Sequence, residues 1–490
     1  MCLSGPISVS RRSLSRSGKS APALLAILFP PADTCQGLQP ESVRRLTFRR
    51  QNDFYADMKN NRREFMKYAG LAGLSIAGTR LTRGFPAVPE DRPIFTGTAS
   101  THNMADMIQK EDNISVIGQY GKWASSLIEK KLPSLSFRNK EWTDLKKWRH
   151  AADLRARERL AIPDIGGLPE VKTKKQYTYD GLHIEELSWQ LPYGRPTDAI
   201  LLKPADAKSP LPGILAFHDH GAVKYFGTRK ITKTSDDQHA VMREHQKNYY
   251  SGRAWANEIA KRGYIVLVPD AFPFASRRVM MQDVPEVLRN GLNDDNPEDP
   301  KNIEAYNTWA ANHEGVMAKS LFCAGTTWPA VFFAEDRIAL DVLAARPDVI
   351  KDKIGCGGLS GGGMRTVFAA GLDSRIKCAV PVGFMTTWKD FCVNKSYTHT
   401  WMTYVPILPN ELDFPEILGL RVPLPTLVLN DADDELFTLP EMNAADKILR
   451  EVYAKAGAPD KYKCSFYPGP HKFDADMQAE AFNWFDRWLK

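Results

Sequence analysis

The 490-residue sequence predicts an α/β fold, a doubly wound and mostly parallel sheet flanked by helices, with a helical accessory segment ahead of it. Three observations carry this prediction. From Gly213 to Lys490, apolar runs of strand length alternate with amphipathic helical stretches, the pattern of parallel strands joined by crossover helices. Some of those runs, such as Gly213–Phe217, are apolar at nearly every position, as strands buried on both faces require. One run, Ile354–Leu359, stops at Gly358-Leu359-Ser360-Gly361-Gly362 and restarts as a helix. That G-x-S-x-G holds a serine at the tip of a tight strand-to-helix turn. A serine in a strained backbone conformation needs neighbours without side chains, so that strand and helix can approach closely.

The chain begins with a basic region. Residues 1–83 carry 14 Lys and Arg against 5 Asp and Glu, while the remainder carries 51 against 53. The formal charge of +7 therefore belongs to the N-terminus, and nucleic-acid binding by the folded body has no charge support. Asn61-Arg62-Arg63-Glu64-Phe65-Met66-Lys67, followed by the weakly apolar Tyr68–Gly78, resembles a twin-arginine export signal over residues 58–83. The run is too short to span a membrane, which takes about 20 apolar residues. The expected partner in export is the twin-arginine translocase, the expected location the periplasm or outside, and stable membrane insertion is not expected. Residues 1–57 are expected to be a non-native or disordered extension, with Met58 the initiator. Seven Cys occur without CxxC or metal-ligand spacing. Cys356 and Cys378 fall in predicted core strands, and one disulfide among Cys323, Cys392 and Cys464 is open.

Residues 84–176 form the accessory segment, with apolar residues at three-to-four spacing in two stretches. Trp123, Trp142 and Trp148 there read as core, because stripes at helical spacing usually face inward. The catalytic-type domain is expected over 177–490. It opens with a hairpin across Pro192–Pro196, then strand Gly213–Phe217, a long polar segment (224–251), a helix and strand Tyr264–Ala271. Residues 277–329, including the acidic Asn293–Asn302, read as an irregular substrate-side insertion. Ala330–Ile350 is an amphipathic helix ending near Pro347, and it delivers the chain to strand Ile354–Leu359. Strands around Ala379, Val428 and Ser465 and a closing helix complete the alternation. No G-x-G-x-x-G or Walker loop follows a strand, so no nucleotide cofactor is expected.

A serine hydroxyl is a poor nucleophile until a base takes its proton, and the base needs a carboxylate to fix its tautomer. After a G-x-S-x-G turn the chain order is Ser, then acid, then His. His471, in Tyr467-Pro468-Gly469-Pro470-His471, follows the last strand and can reach the carboxyl ends of the strands, where open α/β sheets bind ligands. The acid should follow strand Leu424–Leu429, where Asn430-Asp431-Ala432-Asp433-Asp434-Glu435 offers several. Asp434 is the choice, with Asp431 in the turn position usually held by glycine and Asp433 the alternative. An oxyanion needs two backbone N–H donors, one from the residue after the serine, Gly361, and one from the loop after the third strand. In His218-Asp219-His220-Gly221-Ala222 the expected donor is Ala222. A metal site at His218, Asp219 and His220 is not expected, because neighbours on a strand end point to opposite faces.

These features resemble the α/β-hydrolase superfamily, and more narrowly the bacterial branch grouped with dienelactone hydrolases and acetyl-xylan esterases. The resemblance rests on His218–Gly221, where His220-Gly221 matches the H-G of esterase oxyanion loops, on Arg262–Arg278, Glu335–Gly355, Gly358–Arg365 and Pro468–Phe473, and covers about residues 180–490. It implies a triad of Ser360, Asp434 and His471. It implies a serine hydrolase of carboxylic esters acting through an acyl-enzyme with no cofactor, and together with the expected export it points to an acylated carbohydrate as substrate. Two departures stand out: dienelactone hydrolases use cysteine where this chain has Ser360, and Asn430-Asp431 replaces the usual glycine. Two other classes compete. A serine peptidase of the prolyl-oligopeptidase type shares fold and triad order, but residues 84–176 lack β-propeller repeats. An inactive α/β-hydrolase fold used for binding would not need Ser, acid and His in this order.

Overall fold

The structure, a computed structural model, describes residues 115–129 and 131–490. The expected extension (1–57), the export signal (58–83) and residues 84–114 of the accessory segment lie outside them, as do Cys2 and Cys35. Nine strands among the described residues form one sheet. They are β1 (Val171–Tyr179), β2 (Leu182–Trp189), β3 (Thr197–Pro204), β4 (Leu211–Phe217), β5 (Ile265–Pro269), β6 (Val349–Leu359), β7 (Ile376–Val382), β8 (Thr426–Asp431) and β9 (Tyr462–Tyr467). Their order is β1-β2-β3-β5-β4-β6-β7-β8-β9. The first three strands pair antiparallel, β3 meets β5 antiparallel, and from β5 through β4, β6, β7 and β8 to β9 every pairing is parallel. The chain therefore leaves β4 toward β5 on one side and returns to β6 on the other. That reversal opens a crevice at the carboxyl ends of β4 and β6, where open α/β sheets place their ligands.

The strand residues alternate between two apolar layers. Leu215, Phe217, Cys356, Ala379 and Val428 belong to one core, while Ile214, Ala216, Val266, Val380 and Leu429 belong to the other. Apart from the single turn Glu286–Arg289, the α-helices in chain order are α1 (Tyr120–Glu129), α2 (Leu145–Leu160), α3 (Ala240–Tyr250), α4 (Trp255–Lys261), α5 (Pro300–Cys323), α6 (Trp328–Ala345), α7 (Gly361–Leu372), α8 (Phe414–Gly419), α9 (Leu439–Lys455) and α10 (Ala475–Leu489). Helices α2, α6, α7, α8 and α9 cover the first face, and α4 and α10 the second. Trp148 of α2 is fully buried in the first core, as its helical spacing predicts, whereas Trp123 is exposed. No helix among the described residues is long and apolar enough to cross a membrane.

Three expectations change. Strand β1 begins at Val171, inside the segment read as helical. Its exposed Lys172-Thr173-Lys174-Lys175 shows no apolar alternation because β1 is an edge strand, where lysines discourage pairing with other chains. Residues 277–329 are not irregular throughout. The acidic run ends at Asp299, whose carboxylate accepts from Lys301 N and Asn302 N and caps the 24-residue α5. The 224–251 segment contains α3, and Tyr225, Phe226, Met242, Met281, Ile303, Tyr306 and Trp309 bind both insertions into a third, small core. Cys323 and Cys464 are free thiols, so no disulfide joins two of the three candidate cysteines.

Candidate active site

Ser360 sits between β6 and α7 with φ 57° and ψ −121°, a conformation rare for a residue with a side chain. The turn is held by Ser360 N donating to Val382 O at 2.9 Å and by Met364 N donating to Ser360 O at 2.9 Å. A Cβ on Gly358 or on Gly362 would collide with the Phe217 carbonyl oxygen. The two flanking glycines thus let β6 and α7 close on the end of β4, which aims Ser360 into the crevice.

His471 follows β9, and its ring lies against the backbone next to that turn. A Cβ on Gly383, the residue after Val382, would lie 2.9 Å from His471 Cε1. His471 Nδ1 is 2.6 Å from Asp434 Oδ2, and the other Asp434 oxygen accepts from Leu436 N at 2.9 Å. A carboxylate can only accept here, so Nδ1 carries the proton and Nε2 presents a lone pair. Nε2 is buried with no hydrogen-bond partner among the described residues, and His471 and Ser360 line the same cavity of about 270 Å³. Burial opposes protonation of the imidazole, the Asp434 carboxylate outweighs burial, and the His471 pKa is raised. Asp433 is exposed and its carboxylate accepts from Gly469 N at 2.8 Å, bracing the histidine loop rather than touching His471.

The donor expected from Ala222 is differently disposed. Gly221 and Ala222 both have positive φ, 48° and 54°, and the turn they make folds Ala222 N onto His220 Nδ1 at 3.1 Å. The backbone nitrogen beside Gly361 is that of His220: a Cβ on Gly361 would lie 3.0 Å from it. Side chains of the loop diverge, as the strand end requires. His218 Nδ1 is 3.0 Å from Asp219 O, Asp219 turns to His245 and Tyr250, and His220 Nε2 reaches Glu314 Oε1 at 3.1 Å.

Two buried ionic clusters hold this loop. Asp219 Oδ1 accepts from Tyr250 OH at 2.5 Å and lies 3.1 Å from His245 Nε2. Lys230, fully buried, donates to the carbonyls of Asp219 and His220, each at 2.8 Å. Burial brings Lys230 down to about 8; burial also works against the Asp219 carboxylate, but His245 and Lys230 outweigh it and hold Asp219 well below the usual range. On the other side Glu314 pairs with Lys224 at 2.5 Å and accepts from Thr400 Oγ1 at 2.6 Å. Burial would raise Glu314, yet His220 and Lys224 outweigh it and bring it to about 2. Lys224, Lys230, His245, Tyr250 and Glu314 all lie in the two insertions, and no spacing in the sequence marks them as supports for residues 218–222.

Asp431, the residue in the glycine position, is buried at the end of β8. Its Oδ2 accepts from Lys472 N at 3.0 Å and its Oδ1 has no partner among the described residues. Burial pushes its carboxyl up to about 7, against the Lys472 N–H and the nearby His471. Asp431, Asp434 and His471 are the group among the described residues whose donor atoms, within 4.8 Å of one another, have the composition to hold a metal ion. In it His471 Nδ1 is already committed to Asp434.

No family model matches the chain. It is 25% identical over 334 residues to the Bacillus subtilis (strain 168) protein named "Putative hydrolase YtaP", covering 66% of this chain and 96% of that protein. Among solved structures it is similar to a "putative acetyl xylan esterase" from Bacteroides fragilis NCTC 9343, with a TM-score of 0.50 and 19% identity over 72% of this chain and 82% of that one. With its parallel sheet, helices on both faces and this likeness, the chain has the α/β-hydrolase fold.

Proposed function

We propose that the protein is a serine hydrolase of carboxylic esters, with Ser360 as nucleophile, His471 as base and Asp434 as its orienting acid. One observation carries this: His471 gives Nδ1 to a buried carboxylate, its other nitrogen has no partner among the described residues, and its ring shares a cavity with a serine on a strained turn. In this reading His471 Nε2 takes the Ser360 proton as Oγ attacks the ester carbonyl, and Asp434 stabilises the resulting imidazolium. The carbonyl oxygen gains negative charge and meets the N–H groups of Gly361 and His220, the latter in place of Ala222. Removing one such donor typically costs about 10²–10³ in rate. The tetrahedral species collapses as His471 returns the proton to the leaving alcohol; water then repeats the sequence on the acyl-enzyme and frees Ser360.

The name of the Bacillus relative supports hydrolysis, and the sequence resemblance to acetyl-xylan esterases points to acylated carbohydrates. The Asn61–Lys67 motif supports export; replacing Arg62 and Arg63 with Lys should leave the protein in the cytoplasm on fractionation, and normal export of that variant would refute it. A fluorophosphonate probe should label the wild type at Ser360 and leave Ser360→Ala unlabelled, with loss of aryl-acetate hydrolysis in the variant. Folded wild type that resists the probe would refute the nucleophile, and cleavage of peptides without esters would move the activity to the peptidase class.

A further inference from the structure

The catalytic cavity has a polar wall that the triad does not use. His218, 2% exposed at the end of β4, has Nδ1 3.0 Å from the Asp219 carbonyl oxygen. That oxygen only accepts, so the proton is on Nδ1 and Nε2 is an acceptor. Nε2 is buried and has no hydrogen-bond partner among the described residues. Arg365, also 2% exposed, lies one turn and a half along α7 from Ser360. Asp336 holds its Nε at 3.0 Å and its Nη2 at 2.6 Å, and the guanidinium carbon stacks 4.4 Å from the Phe217 ring. Only Nη1 is left over, and it too is buried without a partner among the described residues. Both residues line the cavity that contains Ser360, His471 and the oxyanion loop.

Leaving a buried donor or acceptor unsatisfied costs about 1–3 kcal/mol each, so such groups at a cavity wall mark what the cavity is shaped to receive. We infer that His218 and Arg365 are the residues that select the substrate, reading a hydroxyl group next to the scissile ester: Arg365 Nη1 donates to its oxygen and His218 Nε2 accepts its proton. This rests on the ester-hydrolase reading of the same site. The pair discriminates by chemistry. A carboxylate would satisfy Arg365 but face the His218 lone pair, an ammonium would do the reverse, and an alkyl group would strand both. Burial and the neighbouring Arg365 charge hold His218 well below its usual pKa, which keeps the ring neutral and accepting. The Asp336 pair fixes the Arg365 fork, so the donor is in position before substrate arrives.

A site built around a substrate hydroxyl rejects the analogue lacking it far more strongly than a hydrophobic pocket rejects an extra methylene. The test compares kcat/KM for two matched pairs: aryl lactate against aryl propionate, which varies the acyl side, and glycerol monoacetate against propyl acetate, which varies the alcohol. At least one hydroxylated member should be favoured by ~100-fold in the wild type. His218→Phe keeps the ring and removes the acceptor, and it should cut that preference at least tenfold. Arg365→Met combined with Asp336→Leu, which removes the buried pair without stranding a charge, should do the same. Turnover with a preference below tenfold in both pairs, or a preference that survives both variants, would overturn the assignment, as expected if a buried water bridged the two groups. Absence of any turnover together with absence of Ser360 labelling would instead overturn the hydrolase reading itself.

Discussion

Asp431→Asn should stabilise the protein, and by more at pH 8 than at pH 5. Asp431 is fully buried; one carboxylate oxygen accepts from Lys472 N at 3.0 Å, and the other has no partner among the described residues. Burial pushes the carboxyl up to about 7, against about 3.9 in an unfolded chain. The folded state therefore binds the proton more tightly than the unfolded state does. For such a group the contribution to stability is fully present below about pH 4, is lost as pH rises toward 7, and changes no further above it. One titrating group changes stability by up to about 1.4 kcal/mol per pH unit, so from pH 5 to pH 7 the wild type should lose about 2 kcal/mol through this residue alone. Asparagine keeps the shape and an oxygen for Lys472 N, and carries no charge at any pH. Urea unfolding of wild type and variant at pH 5, 6, 7 and 8 isolates the effect, because titrations of groups not coupled to Asp431 cancel in the difference. The gap in unfolding free energy should widen by about 2 kcal/mol and then level off. A gap that is constant or shrinks with pH would refute the raised pKa of the buried carboxyl beside the His471–Asp434 pair.

The neighbouring acids should separate cleanly by activity. Asp434→Asn removes the carboxylate that fixes the His471 tautomer and should lower ester kcat by about 10⁴, whereas Asp433→Asn, exposed and still able to accept from Gly469 N, should stay within a few-fold. Comparable losses in steady-state assays of the two variants would contradict the geometry. Gly362→Ala drives a Cβ into the Phe217 carbonyl oxygen, where two backbones meet and neither yields, so it should destabilise by about 1–3 kcal/mol or more and lower Tm. Gly167→Ala, with open space around it, should leave Tm nearly unchanged and serves as the control.

Where the proposed chemistry is set by side chains in chain order, its candidates could be named before the fold was known. Ser360 declares itself through the two glycines that let β6 and α7 approach β4, His471 through its place after β9, and Asp434 through the length of the turn after β8. The strand alternation was legible for the same reason, since parallel strands buried on both faces write continuous apolar runs. The oxyanion loop was not. Which of its N–H groups lies beside Gly361 depends on a backbone turn at Gly221 and Ala222 with positive φ at both, and an alanine in that conformation leaves no mark in the sequence. Strand β1 was hidden because an edge strand owes its residues to solvent and not to a core. Helix α5 was hidden because its cap is an acidic run that by itself reads as loop.

The insertions change in meaning once their charges are traced. Taken as sequence, 224–251 and 277–329 are polar additions on the substrate side. In the fold, the first brings Lys230, His245 and Tyr250 to Asp219, and both together bring Lys224 and Glu314 to His220. Burying these groups is costly, and it is tolerable only because each charge finds an opposite one and further hydrogen bonds. What that arrangement secures is the backbone of residues 219–220: Lys230 grips both carbonyls, and the two flanking side chains are clamped from opposite sides. A donor that must meet an oxyanion is effective in proportion to how little it moves when the charge develops. The Asp219 carboxylate is held well below its usual range and Glu314 at about 2, so both clamps keep their charge through neutral pH. The insertions therefore back the 218–222 loop rigidly, and under the proposed mechanism changes within them should alter the rate at Ser360 without touching the substrate.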